Sequence, residues 1–347
     1  MRGGTLSSWV LRARGVAGGL ALLGVVTLGY GGPVAAAQQP VGTAAERPYT
    51  VLAEGLGDPR EIAYAYGRLY VTENSRGRVL SFSTSGAGRR VERALVPGPT
   101  AVARTGGTLL VATGRSFYDD DQGSWEGPGL ASVSAGPLNR APSVVADLEA
   151  YRSSLPEGDR PEASDPQALL APVRAGRPLL VADAGLGAVL AVDRATGTIT
   201  PFFTAPGLRP TGLAHGPDGS VYVTSAGSGA DLLVLDGRTG ALRRSIFGIP
   251  GASSVAVSGS GAVYVAQEGF ERVPVSPEVW PTADVGQITR VAPDGTRSVL
   301  GVQQPHGLAL AEGRLYATLL SSRGFGEIGN HPGQLVRIDE SAFTPVA

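Results

Sequence analysis

One phrase recurs six times along this chain: a Pro-led apolar run, a tight Gly-containing turn, and a second apolar run. Such repetition constrains the fold more than any single motif, because a unit that cannot bury its own apolar face must stack on its neighbours. The fourth copy is the clearest, with Pro210-Thr211-Gly212-Leu213-Ala214, the turn Pro217-Asp218-Gly219 and then Val221-Tyr222-Val223. The others open at Pro59, Pro99, Pro166, Ala252 and Pro305, Ala252 standing where the fifth copy lacks its proline. Where no insertion intervenes, successive openings are 40, 44 and 42 residues apart. That spacing fits a four-stranded blade of about 40 to 45 residues.

Each unit supplies a third strand, as at Ala188 to Val192, Leu232 to Leu235, Ile288 to Val291 and Leu335 to Ile338. A fourth follows a tight turn, as Pro293-Asp294-Gly295 leads to Arg297 to Leu300. The fold expected is therefore all-β: a six-bladed β-propeller of four-stranded antiparallel blades. In the sixth copy Ser341 to Ala347 shows no strand pattern, so a fourth strand is missing there. Thr50 to Leu56 has the form of Ser298 to Val302, and both precede an opening proline. The N-terminal strand is thus expected to complete the last blade and remove an open sheet edge.

Composition agrees, with 42% hydrophobic and 17% charged residues, Gly 51 and Pro 26, as many short strands and turns require. All basic residues are Arg, and they are scattered rather than clustered into a stripe, which argues against nucleic acid as a partner. The absence of Cys removes disulfides, thiolate zinc sites and thiol catalysis together.

Residues 1–37 read as an export signal, with Arg2, Arg12 and Arg14 ahead of an apolar run from Val16 to Tyr30 and a small-residue cleavage site at Ala35-Ala36-Ala37. The expected product is a secreted monomer with no membrane association after cleavage. A disordered leader, residues 38–47, then precedes a propeller over residues 48–347.

In a propeller the loops between strands 2 and 3, and those from strand 4 to the next blade, share one face. The long segments Gly114 to Gly129, Asp147 to Asp165, Gln267 to Val285 and Leu319 to Pro332 all fall there. Long loops on a rigid scaffold are where binding concentrates. The residue after each opening position forms a polar ring of Arg60, Thr100, Gln167, Thr211, Ser253 and His306. The ends of the second strands form another: Glu73, Thr113, Asp183, Ser225, Gln267 and Leu319. Either ring could bind a ligand, or hydrogen-bond to loop backbone and channel water.

Other patterns carry less. Gly324-Phe325-Gly326-Glu327-Ile328-Gly329 fits a dinucleotide fingerprint by letter but lies between two strands, with no helix following. Asp119-Asp120-Asp121 lacks the spacing of a calcium loop and reads as a solvated acidic segment. The three histidines, His215, His306 and His331, make no zinc pair at helical spacing.

The run Val144 to Tyr151, then Asp165-Pro166, Leu180-Val181-Ala182-Asp183-Ala184-Gly185 and Val189 to Asp193, with Pro210-Thr211-Gly212 and Gly216-Pro217-Asp218-Gly219, resembles the ScyD/ScyE family of exported bacterial propellers. More distantly it is similar to NHL-repeat proteins and the SMP-30/gluconolactonase group. The family pattern has Asn where this chain has Asp165, which would add an acid at the channel mouth. The calcium-dependent lactonases use a Glu, an Asn and an Asp at the mouth. The resemblance implies Glu73 and Asp183 as the acids of a Ca²⁺ site, with Asp165 beside them, but no Asn stands at a matching strand end. Two functions follow. One is binding of a small molecule, glycan or protein on the inserted face through Arg60, Thr100, Gln167, Thr211 and His306. The alternative is a Ca²⁺-dependent lactonase-like hydrolase.

Overall fold

The computed structural model describes residues 47–346, apart from 95, 115–130, 139, 175, 228–230, 269–285 and 321–331. Alternating apolar residues in short runs, each bounded by Gly, Asp or Asn turns, fold into six antiparallel meanders, as the repeats require. Blade 1 is Pro59–Ala65, Arg68–Glu73, Arg78–Ser83 and Arg90–Arg93; blade 2 is Pro99–Thr105, Thr108–Thr113, Ser132–Pro137 and Ser143–Asp147. Blade 3 is Pro166–Leu170, Leu179–Asp183, Ala188–Val192 and Ile199–Thr204; blade 4 is Pro210–His215, Ser220–Ser225, Leu232–Asp236 and Leu242–Ile246. Blade 5 is Ala252–Val257, Val263–Gln267, Gln287–Val291 and Arg297–Gly301. Blade 6 takes Pro305–Ala311, Arg314–Leu319 and Gly333–Ile338 from the C-terminal region, and its outer strand, Tyr49–Leu56, from the other end of the sequence.

The first strands of the blades touch one another in order, the sixth returning to the first, so they form the innermost ring of a closed six-bladed propeller. Six apolar clusters fill the gaps between neighbouring blades. The closing strand pairs Tyr49 with Ile338, Val51 with Val336 and Leu56 with Gly333, as expected. Its side chains enter two of those clusters. Tyr49 and Val51 pack between blades 5 and 6, whereas Leu52, Ala53 and Leu56 pack between blades 6 and 1.

Two features depart from the sequence expectation. Ser341 to Ala347 was expected to hold no strand, yet Thr344–Pro345 pairs with Ser298 and Val299 as a short fifth strand on blade 5. A side-chain anchor secures it, because Phe343 meets the Tyr264 ring edge-on and the Tyr264 hydroxyl donates to Glu340 at 2.5 Å. The segment after blade 2 opens with a helix, Leu148–Ser154. Asp147 caps it by accepting the Ala150 N–H at 2.8 Å, and Leu148 anchors it in the core between blades 2 and 3. Among the described residues no helix is long and apolar enough to cross a membrane.

Starting the chain at Arg47 should leave the melting temperature within about 2 °C of that of the chain starting at Gln38. Starting it at Gly57 should lower melting by at least about 10 °C, since an edge and parts of two cores are lost together. Thermal denaturation of the two truncations tests this.

Candidate functional site

Each first strand carries a bulge just after its opening residue. In blades 2 to 5 the opening residue pairs with the last residue of the second strand, and the next paired residue lies two positions on against one. Blades 1 and 6 show the same irregularity between Pro59 and Ile62 and between Pro305 and Leu308. The extra residue is the ring residue predicted from sequence: Arg60, Thr100, Gln167, Thr211, Ser253 or His306. A bulge leaves its residue out of the ladder and re-aims the side chain.

Most of these side chains are then spent on the scaffold. The Thr211 hydroxyl donates to Ala252 O of the next blade at 2.7 Å. Ser253 donates toward His306 O of the following blade at 3.1 Å, and Thr100 toward Ala112 O at 3.4 Å. Gln167 donates to Asp165 Oδ1 at 2.8 Å.

The ring at the second-strand ends is a set of staples. In five of the blades the residue after the end donates its N–H to the carbonyl of the residue before the same blade's opening position: Asn74 to Asp58 at 3.0 Å, Gly114 to Gly98 at 3.0 Å, Ala184 to Asp165 at 2.9 Å, Ala226 to Arg209 at 3.0 Å and Leu320 to Gln304 at 3.0 Å. The strand-end side chains tighten the same junction. Ser225 Oγ accepts the Arg209 N–H at 3.1 Å, and Gln267 donates to Pro250 O at 2.8 Å. Thr113 shares a hydrogen bond with Ser132 Oγ at 3.1 Å, and Leu319 is simply buried.

The acids expected to hold Ca²⁺ sit within this staple system. Glu73 is fully buried, accepts the Gly57 N–H at 2.9 Å, and pairs with Arg76 at 3.2 Å and with Arg78. Asp183 is fully buried and accepts from Ser164 Oγ at 2.5 Å, the Asp165 N–H at 2.8 Å and the Leu186 N–H at 2.9 Å. Burial pushes the Asp183 carboxyl up to about 6, the three donors restraining the rise. These carboxylates do not fit a bound cation, since one faces two guanidiniums and the other is saturated with donors. Among the described residues no three acids or histidines gather within reach of one metal.

What the bulges do bring together is Arg60 of blade 1 and His306 of blade 6, through Glu268. His306 Nδ1 hydrogen-bonds Glu268 Oε1. Burial opposes ionisation of Glu268, but the His306 charge, the His306 hydrogen bond and the nearby Arg60 charge outweigh it and hold its pKa below the usual value. Arg60 is also held by Asp58 at 3.0 Å, and its carbonyl accepts from the buried Thr318 of blade 6 at 2.5 Å. Asp183, expected as an acid of the Ca²⁺ site, is committed to the blade 3 staple instead. Glu268 was hidden from sequence because it opens the insertion after Gln267. Its signal lies in register, for the matching staple position is Asn74, Gly114, Ala184, Ala226 or Leu320 in the other blades, and only blade 5 puts an acid there.

Glu61 is a second exception. At its position the other blades have Ala101, Ala168, Gly212, Ser254 and Gly307. Small residues are needed because this position faces the next blade: a Cβ on Gly307 would lie 2.4 Å from Arg60 O, and one on Gly212 2.7 Å from Ser254 Cα. Glu61 is only 9% exposed, its carboxyl meets no hydrogen-bond or ionic partner among the described residues, and burial raises its pKa well above the usual carboxylate range. His215, by contrast, is structural, its Nε2 lying 2.8 Å from Ala171 O.

No family model and no curated protein matches the chain. Solved structures do. A gluconolactonase from Xanthomonas campestris aligns with TM-score 0.55 at 14% identity, covering 83% of this chain and 88% of that one. A streptogramin B lyase aligns with TM-score 0.51 at 13% identity, covering 83% and 96%. An inactive histidine-to-alanine variant of virginiamycin B lyase from Staphylococcus aureus, bound to quinupristin, aligns with TM-score 0.50 at 11% identity over 83% and 97%. At these identities the likeness shows the fold, a β-propeller.

An acid whose folded pKa is raised imposes no cost below its unfolded pKa and an increasing cost as pH rises through the folded value. Glu61→Gln should therefore melt a few degrees above wild type at pH 8, with the difference vanishing near pH 4. Melting curves across this range check it, and a difference that persists at pH 4 would refute the buried-acid account.

Proposed function

We propose that this propeller binds a small polar ligand bearing an anionic or carbonyl oxygen at the channel mouth on the inserted face, with Arg60 and His306 as donors and Glu268 orienting the imidazole. The supporting observation is the convergence of these three groups from blades 1, 5 and 6, while the other bulge residues, Thr100, Gln167, Thr211 and Ser253, are occupied by scaffold hydrogen bonds. Nε2 of His306 hydrogen-bonds no described residue; with Nδ1–H donating to Glu268, this nitrogen donates to an anionic ligand as the imidazolium and accepts a proton as the neutral ring. The Arg60 guanidinium, near enough to Glu268 to lower its pKa and held by Asp58 through Nε, is a planar fork suited to a carboxylate. We place the protein outside the cell, as a monomeric member of the ScyD/ScyE family, on the export signal and repeat wording of its sequence.

The carboxylate–imidazole pair favours one further reading, hydrolysis of a lactone with His306 as general base. Glu268 would fix the tautomer and stabilise the imidazolium as it forms. The gluconolactonase fold neighbour supports lactones as the first substrates to try, and this reading needs no metal.

Calorimetry with D-gluconate and hydrolysis assays with glucono-1,5-lactone separate the two readings. Binding predicts heat with gluconate, weakened at least about tenfold in Arg60→Gln and His306→Gln while melting changes by less than about 2 °C. Hydrolysis adds turnover that disappears in His306→Gln and falls as the medium is acidified. Neither heat nor turnover, or heat unchanged in both variants, would sink the assignment of the site.

A further inference from the structure

Where blades 3 and 4 meet on the inserted face, the surface holds a cavity of about 470 Å³. Its walls include Glu162, Asp165 and Arg209, and its floor is the turn Gly185-Leu186-Gly187. In blade 1 the matching turn carries Arg76, whose guanidinium reaches back to Gly55 O at 2.6 Å and Glu73 at 3.2 Å, where blade 3 has Leu186. In blade 3 glycine is obligatory beside it: a Cβ on Gly185 would lie 2.2 Å from Ala163 O, and Gly187 has φ of 62°. The turn therefore presses against the neighbouring backbone and leaves the space above it open.

The charges around this space do not satisfy one another. Arg209, exposed just before Pro210, makes no side-chain hydrogen bond or ion pair with any described residue, nor does Glu162. Asp165, half-buried, uses Oδ1 to accept from Gln167 and has Oδ2 left over. Arg209 pairs with neither acid, although all three line one cavity. A simple anion here would meet two carboxylates and a simple cation would meet a guanidinium, so both are disfavoured by their like charge. A ligand carrying both signs at opposite ends satisfies both walls.

We propose that this cavity is a binding site for a small zwitterion of amino-acid or dipeptide size, its carboxylate on Arg209 and its ammonium between Asp165 and Glu162. The volume falls within the range of small-molecule sites, and charge-assisted hydrogen bonds at both ends fix the ligand's direction. The site is separate from the Arg60–Glu268–His306 cluster and does not depend on it.

Calorimetry on the purified protein with L-alanyl-L-alanine, its N-acetyl form, its C-terminal amide and calcium chloride alone provides the test. The free dipeptide should give heat, and blocking either terminus should weaken it at least about tenfold. Arg209→Gln and Asp165→Asn should do the same, whereas Arg209→Lys should keep most of the affinity and His306→Gln all of it. These surface changes should shift melting by less than about 2 °C. No heat up to about 10 mM dipeptide, where a millimolar site would be nearly filled, overturns the proposal. So does binding indifferent to the blocked termini or to Arg209→Gln, and so does calcium binding that Asp165→Asn abolishes.

Discussion

Everything in this propeller depends on the pairing of Tyr49–Leu56 with Gly333–Ile338. The two segments lie almost 280 residues apart in sequence, so their pairing carries a loop-closure cost that grows only slowly with length. Against that cost stand a full outer strand and side chains in two of the six inter-blade cores. An open ring would leave blade 6 three-stranded, with Gly333–Ile338 as a bare edge. The C-terminal region adds a second tie, because after completing blade 6 it crosses to blade 5 and pairs there through Thr344–Pro345. Phe343 and Glu340 fasten that crossing to Tyr264.

The inner ring shows how a repeat divides its polar groups between support and function. A bulge at the same place in each blade ejects one residue from the ladder, and a staple behind it holds the junction to the next turn. Four of the six ejected side chains hydrogen-bond to backbone or to a near neighbour within the scaffold. Buried backbone groups at these junctions would otherwise lack partners, at a cost of about 1–3 kcal/mol each. The other two, Arg60 and His306, pair instead with the carboxylates of Asp58 and Glu268.

The fold was legible because it rests on periodicity. Six opening positions, 59, 99, 166, 210, 252 and 305, each begin an innermost strand, and the closing strand was visible as a displaced copy of a fourth strand. The helix at Leu148 was not, since seven residues carry too little periodicity to stand out from strand wording, and its cap Asp147 also ends a strand. At the candidate site the ring positions were legible but their uses were not. Glu73 and Asp183 have the residue types of a metal site, yet Arg76, Arg78 and Ser164 reach them from places that repeat phase does not align. Glu268 was missed for a related reason, as it becomes meaningful only once the bulge at His306 turns that imidazole toward it.

Two exceptions to the repeat, Glu61 and Glu268, lie near the seam where the ring closes. Arg60 and Glu61 belong to the first blade, His306 and Thr318 to the last, and Glu268 to the blade before it. Thr318 binds the two ends together directly, donating to Arg60 O at 2.5 Å while accepting the Gly307 N–H at 2.8 Å. The Arg60–Glu268–His306 cluster therefore cannot form in any partly folded chain that lacks the closed ring. Backbone ladders position Arg60 and His306 on their first strands, while Glu268 is held from the end of its strand by its bond to His306. Propeller closure in this way sets charged groups from distant parts of the sequence against one another with the precision of a sheet, where a single blade could supply only one of them.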